Sequence, residues 1–317
     1  SFQVHLRVDP AEFTRTYNAV QLATAPVLAV ACNSPTFLGH RLWDETRVGL
    51  IKQAIDDRDG REPHRRLARV AFGTGWLRCG PLELFAESVR LHEPLLPVLD
   101  EGEASSEDQA PSLAELRLHQ GTVWRWNRVI YDPAGGGHLR IEMRAMPAGP
   151  TVLDMLANAA FLIGVSLHLA RRDPDWTYRL SFERAEHNFL EAARHGLAAR
   201  LSWPAERRAE VVTVPAVDLV AELLPGARDA LVRAGVADDE ADRLLGVIAS
   251  RVSSGQTGAI WQHETLAALE PQLGRDAGIT AMFQRYLEYA ASEAPVHSWP
   301  QDGHASGRSD ARRNLRS

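Results

Sequence analysis

The sequence predicts an α+β fold, in which an antiparallel sheet backed by helices precedes an all-helical C-terminal third. Three observations carry this. Residues 1–8, SFQVHLRV, alternate with a period of two, so Phe2, Val4, Leu6 and Val8 face one way and Gln3, His5 and Arg7 the other, as in a half-buried strand. Residues 121–146 hold two aromatic and basic runs, GTVWRWNRVIYD and HLRIEMRAM, on either side of the turn PAGGGH, which reads as a hairpin. From residue 216 onward the apolar residues recur at helical spacing. Strands grouped before helices, rather than alternating with them, indicate α+β.

Each element has a local reason. Asp9 can cap a helix whose first turn accepts Pro10. That helix runs past Leu22, is expected to restart after Pro26, and stops at Asn33-Ser34-Pro35, because a residue before proline resists the α conformation. A short helix follows within 36–59. Residues 60–80 are Arg- and Gly-rich and loop-like, with a short strand at RVAFG, and 81–99 form an amphipathic helix. Residues 100–112 are acidic, small and polar, a composition that buries little area and predicts a mobile surface loop. Leu113 to Leu118 lead into the hairpin, whose Gly135, Gly136 and Gly137 permit positive φ. Thr151 caps the apolar stretch VLDMLANAAFLIGVSLHLA, read as a core helix packed on the sheet. A helix over 181–200, a Pro-bounded loop over 202–215 containing EVVTV, and helices near 216–234, 238–252, 262–270 and 276–292 complete the chain. Residues 1–299 are expected to form one domain, with 300–317 a polar, disordered tail.

Composition narrows the function. A net charge of -6 and the lack of a basic block argue against a nucleic-acid partner. No apolar run reads as a membrane span, and no signal peptide is visible. The two cysteines, Cys32 and Cys79, make neither a CxxC pair nor a disulfide framework, which predicts a reducing cytoplasm. Lys52 is the only lysine, so arginine carries nearly all the positive charge; coding bias explains that, yet guanidiniums also suit bidentate contacts to carboxylate and phosphate. The chain opens at Ser1 directly in strand-like sequence, which suggests a product cut from something longer.

The candidate chemistry centres on Gly121–Pro150. In a strand, Arg140, Glu142 and Arg144 share one face. A carboxylate between two guanidiniums suits a site that handles phosphate and a metal ion. His5 reads as an exposed strand residue or as a metal ligand, and Arg47 as a binder of a substrate carboxylate or as an exposed helix arginine. The GGG turn matches neither phosphate-loop pattern.

Several motifs occur in order: VHLRV at 4–8, NSP at 33–35 with Glu45-Thr46-Arg47, GTVWRWNR at 121–128, HLRIEMRAMPAGPTVLD at 138–154, NFLEAARHGL at 188–197 and GAIWQ at 258–262. Together, over roughly residues 1–299, they closely resemble the bacterial glutamate–cysteine ligase family that includes the carboxylate-amine ligases. The resemblance implies a glutamine synthetase-like catalytic fold, ATP and Mg²⁺ as cofactors, and small-molecule substrates: glutamate and an amine such as cysteine, joined through a γ-glutamyl phosphate. It implies that Glu142 and His5 ligate metal, that Arg144 and Arg128 act in catalysis, and that Arg140 and Arg125 hold phosphate. Arg47 would bind a substrate carboxylate, Trp126 and Asn127 would shape the pocket, and Asn188 and Arg194 would lie at the binding site. Two departures stand out, the second the more consequential: Gln3 replaces the first histidine of the family's HxH-like strand. The G-x-E-x-E carboxylate strand is absent too, and Glu101 and Glu103 lie in the acidic loop instead. The expectation is therefore the C-terminal portion of a ligase with little activity alone, completed by a homodimer partner or a preceding segment. The alternative is a non-catalytic homologue that binds nucleotide or amino acid as a regulatory module.

Overall fold

The structure is a computed structural model and describes residues 2–58, 67–99, 110–172, 176–205 and 210–301. The acidic loop with Glu101 and Glu103, the first part of the Arg/Gly-rich segment and nearly all of the C-terminal tail lie outside the described residues.

The α+β class holds. The elements in chain order are β1 (Val4–Val8), α1 (Phe13–Ala31), β2 (Thr36–Phe37), β3 (His40–Arg41), α2 (Thr46–Ala54), β4 (Val70–Ala71), α3 (Pro81–Leu91), α4 (Ala114–Gly121), β5 (Trp124–Arg125), β6 (Asn127–Asp132) and β7 (His138–Met143). They continue with α5 (Val152–Arg171), α6 (Trp176–Arg179), α7 (Phe182–His195), β8 (Arg200–Pro204), β9 (Val211–Pro215), α8 (Ala216–Arg233), α9 (Asp238–Ser254), α10 (Gly258–Leu273) and α11 (Arg275–Ala291). The central sheet is antiparallel in the order β1-β7-β6, and β4 pairs with β5 in parallel beside it.

Strand alternation divides the central sheet into two faces. The rows Val4–Met143–Asn127, Leu6–Ile141–Val129 and Val8–Leu139–Tyr131 turn toward α1, where the Tyr17 hydroxyl donates to Asn127 O at 3.0 Å. The row His5–Glu142–Arg128 takes the opposite face. Gly135, Gly136 and Gly137 all have positive φ (64, 86 and 87°) in the β6–β7 turn, a conformation that a side chain would strain.

Helix α1 is the axis of the molecule. It packs on α5, α7 and α8, and every residue from Thr16 to Ala31 is buried. It runs unbroken through Pro26, correcting the expected restart. A proline removes one backbone hydrogen bond, a cost of about 3 kcal/mol in an exposed helix, but here burial on all sides holds the helix together. Helix α5 is, among the described residues, the one helix long and apolar enough to cross a bilayer. Its buried face, including Ala157, Phe161 and Val165, packs as a core helix against α1, α8 and α9, rather than on the sheet as expected. Thr151 and Asp154 form a full capping box at its start.

Buried charge ties the helical part together. Arg251 on α9 donates to Asp154 Oδ1 at 2.8 Å, Asn158 Oδ1 at 2.6 Å and Val30 O at 3.2 Å, and the backbone N–H of Val296 reaches the same carboxylate at 3.1 Å. One ion pair thereby joins α1, α5, α9 and the C-terminal segment. Three further expectations are corrected. Residues 114–121 form a helix, the run 121–132 breaks into β5 and β6 at Trp126, and β8, which was not expected, pairs antiparallel with β9, where the expected EVVTV run falls.

Candidate active site

The site grows out of the His5–Glu142–Arg128 row. Glu142 is buried by the strands on either side of it, and cross-strand register sets His5 and Arg128 opposite it. The Arg128 Nε donates to Glu142 Oε2 at 2.7 Å, and its Nη1 donates to Gln120 O at the end of α4 at 3.1 Å. His5 Nε2 stands 3.6 Å from Glu142 Oε1. Arg144 follows β7, with its N–H on Trp126 O at 2.9 Å, its Nε 3.9 Å from Glu142 Oε2 and its guanidinium 4.8 Å from the Trp124 ring centre.

Arg47, in the first turn of α2, arrives from another direction. Its Nε donates to Glu45 Oε1 at 2.9 Å, its Nη2 donates to Ala145 O, and its guanidinium lies 5.5 Å from the Trp126 ring centre. Its Nη1 is buried with no protein partner. Arg47 and Arg144 line a cavity of about 50 Å³ with Gln3, Ile51, Val70, Trp124, Arg125 and Trp126. Burial lowers the pKa of the Arg144 guanidinium; Glu142 opposes the shift, and the charges of Arg128 and Arg47 add to it. Four guanidiniums, Arg47, Arg125, Arg128 and Arg144, thus gather near three carboxylates, Glu45, Glu87 and Glu142, which leaves a small excess of positive charge.

Other expected residues go elsewhere. Arg140 shares the outward face of β7 but turns to Asp132 at 3.1 Å, at the hairpin end, leaving its Nε buried and unpartnered. The sheet therefore does not hold Arg140, Glu142 and Arg144 as one row. Arg125 lines the cavity, yet Glu87 on α3 holds its Nη1 at 3.1 Å and its Nη2 at 2.7 Å. Burial acts to lower its pKa, but Tyr17 and Glu87 outweigh that and raise it. Asn127 falls on the inward face by alternation, and its amide donates to Gln21 Oε1 at 2.6 Å and Thr24 Oγ1 at 2.9 Å on α1. Asn188 is buried and pins Ser202 of β8 with bonds of 2.7 and 2.8 Å. Arg194 pairs with Glu191 at 3.2 Å and lies 4.8 Å from the Trp43 ring centre. The structure brings together His5, Glu142, Arg128, Arg144, Arg47, Arg125 and Trp126, and leaves Asn127, Arg140, Asn188 and Arg194 in other contacts.

The residues that reading the sequence missed are the counterions and platforms: Glu45, Glu87 and Trp124. The spacing Glu45-x-Arg47 was a signal for the first. Glu87 had none, since it pairs with a residue on a separate element.

The described residues do not make a magnesium cage. No three His, Cys, Asp or Glu side chains converge among them, and Arg128 already occupies one oxygen of Glu142. Mg²⁺ asks for an octahedron of oxygens, with one or two carboxylates beside phosphates and waters. The unpartnered Nη1 of Arg47 and the adjacent guanidiniums fit the other expected group, a phosphate chain, because phosphate accepts hydrogen bonds in the fork geometry that arginine presents.

An antiparallel sheet backed by helices, with an arginine- and tryptophan-lined cavity beside it, defines an α+β protein. The model of glutamate-cysteine ligase family 2 (GCS2) matches residues 90–278, more than half of the chain, and the chain belongs to that family. The match spans Arg125 to Arg194 and leaves His5 and Arg47 ahead of it. Comparison with curated proteins finds no match. At the level of the family, the chain is a glutamate–cysteine ligase-like carboxylate-amine ligase.

Proposed function

We propose that this chain supplies the phosphate-handling wall of an ATP-dependent carboxylate-amine ligase, which forms an amide between glutamate and an amine such as cysteine through a γ-glutamyl phosphate. The observation that carries the reading is that Arg47, Arg125 and Arg144 line one small cavity, with Arg128 beside them on Glu142 and the Arg47 Nη1 buried and unpartnered. Phosphoryl transfer needs positioned positive charge against the developing charge on phosphate, rather than a protein nucleophile. Arg128 and Arg144 would hold the transferring phosphoryl group, and Arg47 a neighbouring carboxylate or phosphate oxygen. Glu142 keeps the guanidiniums from repelling one another. Trp124 and Trp126 supply apolar surface to the cavity lining. Glu142 and His5 are the described residues that would lie nearest a bound Mg²⁺, which would neutralise charge on the phosphates. A cytoplasmic setting, where ATP and free thiols coexist, suits this chemistry.

The test is phosphate release from ATP by the purified chain, with glutamate and cysteine present and absent. Glutamate-dependent release that Arg144→Lys reduces at least about tenfold supports the reading. The lack of a metal cluster among the described residues favours a second reading, a homologue that binds nucleotide or amino acid without turnover. ATP binding by calorimetry with no release under any amine would establish that one. Failure to bind ATP or triphosphate at all would overturn both.

A further inference from the structure

The strongest unassigned feature beside the cavity is Glu45. It is a carboxylate with 0% of its surface exposed, yet it is neither an expected ligand nor part of the Glu142 row. Three elements fix it. Its backbone N–H donates to Ala193 O on α7 at 2.8 Å, and Ser34 pairs with it as an isolated parallel bridge. Its Oε2 accepts the Asn33 N–H at 3.0 Å and its Oε1 accepts the Arg47 Nε at 2.9 Å. The two oxygens therefore hold the segment just after α1 and the root of the Arg47 guanidinium at once. An arginine anchored at Nε and, through Nη2, on Ala145 O has one direction left for Nη1, which is the direction left buried and unpartnered. Burying a carboxylate is costly unless every lone pair serves a partner. A carboxylate spent in this way on an arginine beside a cavity is a device for aiming that arginine.

Building on the proposed phosphate-handling role, we infer that Glu45 is a positioning residue: it presets the Arg47 fork so that Nη1 meets an oxyanion in the cavity without reorganising. The pairing also explains why Arg47 stays in place while the nearby Arg144 and Arg128 charges oppose it, since Glu45 supplies local neutralisation that Glu142 does not share. Preorganised donors contribute more than mobile ones because no ordering cost falls on the binding step.

The experiment uses the full chain and inorganic triphosphate as the probe, titrated by calorimetry at 25 °C and low salt, with Glu45→Gln, Arg47→Lys and the double variant. Glu45→Gln keeps the shape and loses the charge-assisted bond, so binding should weaken by about tenfold or more. Arg47→Lys, which loses the fork, should weaken binding similarly, and the double variant should bind no worse than Arg47→Lys alone, because both changes disable one device. Glu45→Gln affinity within about twofold of wild type, alongside a lower melting temperature, would show a merely structural residue and overturn the inference; so would additive effects in the double variant. A second measurement needs no Glu45 variant. The Arg47 Nε–H signal, identified by its loss in Arg47→Lys, should be protected from solvent exchange in the free protein and should shift when triphosphate is added. Rapid exchange of that proton would overturn the preset fork. If wild type binds no triphosphate, the phosphate-handling role falls with the inference; if it binds and Glu45→Gln binds equally, only the inference falls.

Discussion

Replacing Glu142 with Gln should move stability and anion affinity in opposite directions. Glu142 is 3% exposed and stands against Arg128 at 2.7 Å, His5 at 3.6 Å and Arg144 at 3.9 Å. The amide keeps an acceptor for Arg128 but carries no charge against the guanidiniums. Breaking a fully buried pair costs about 3–5 kcal/mol. Arg128 retains 18% exposure and its bond to Gln120 O, and the amide still accepts, so the loss should fall nearer the ~1.5–3 kcal/mol of a charge-assisted hydrogen bond. For a chain of this size that is a drop of roughly 2–5 °C in melting temperature. The uncompensated guanidiniums should in turn bind inorganic phosphate or triphosphate about tenfold more tightly in metal-free buffer, a gain of ~1.4 kcal/mol. The gain should shrink as salt rises and screens the charges. The assays are calorimetric titration at two ionic strengths and a thermal melt with and without triphosphate, which should restore much of the lost stability. Weaker metal-free binding in the variant would refute the picture of Glu142 as the counterion of an anion wall. An unchanged melting temperature would refute the picture of a buried hub.

The ion pair Asp154–Arg251 should behave as a strut. Asp154→Ala should cost about 3–5 kcal/mol in urea denaturation, and the double change Asp154→Ala, Arg251→Met should cost less than that single one; a double variant worse than Asp154→Ala would contradict it. Stability should fall as pH drops through the region below about 6.5. Burial, with Arg69 and Arg125, holds His92 below the usual histidine range, and burial with Arg251 does the same for His297. In that window the unfolded chain binds more protons than the folded one, so stability rises with pH. Melts of His92→Gln with His297→Gln should show a flatter profile than wild type. In a thiol-labelling experiment, exposed Cys79 should react at once. Cys32, whose thiol burial and the nearby Glu45 and Asp44 push well above its ordinary pKa, should react only on unfolding. Two fast thiols in the native protein would refute its burial.

Much of the framework was legible because its causes are local. The period of two in Val4–Val8, the Thr151 cap and the three glycines of the hairpin act within a few residues, so the string of side chains carries them. Register was half legible. The even positions of β7 do share a face, which placed Glu142 correctly, but Arg144 lies past the end of the strand and Arg140 bends to Asp132. A long arginine side chain reaches whichever carboxylate lies nearest in space, and alternation does not choose that carboxylate.

What the sequence determined by itself was the class of the fold and the family whose motifs it matches. What only the tertiary structure decided was the partnership of each charge. Asn127 went to α1 because β6 places it on the inward row, Asn188 went to β8, and Arg125 was claimed by Glu87. Arg47 keeps a buried Nη1 without a protein partner while its Nε is held by Glu45, two residues before it, which is itself tied to Asn33 just after α1 and to Ala193 on α7. Charges are paired by distance and burial, and both are set by elements that lie far apart along the chain.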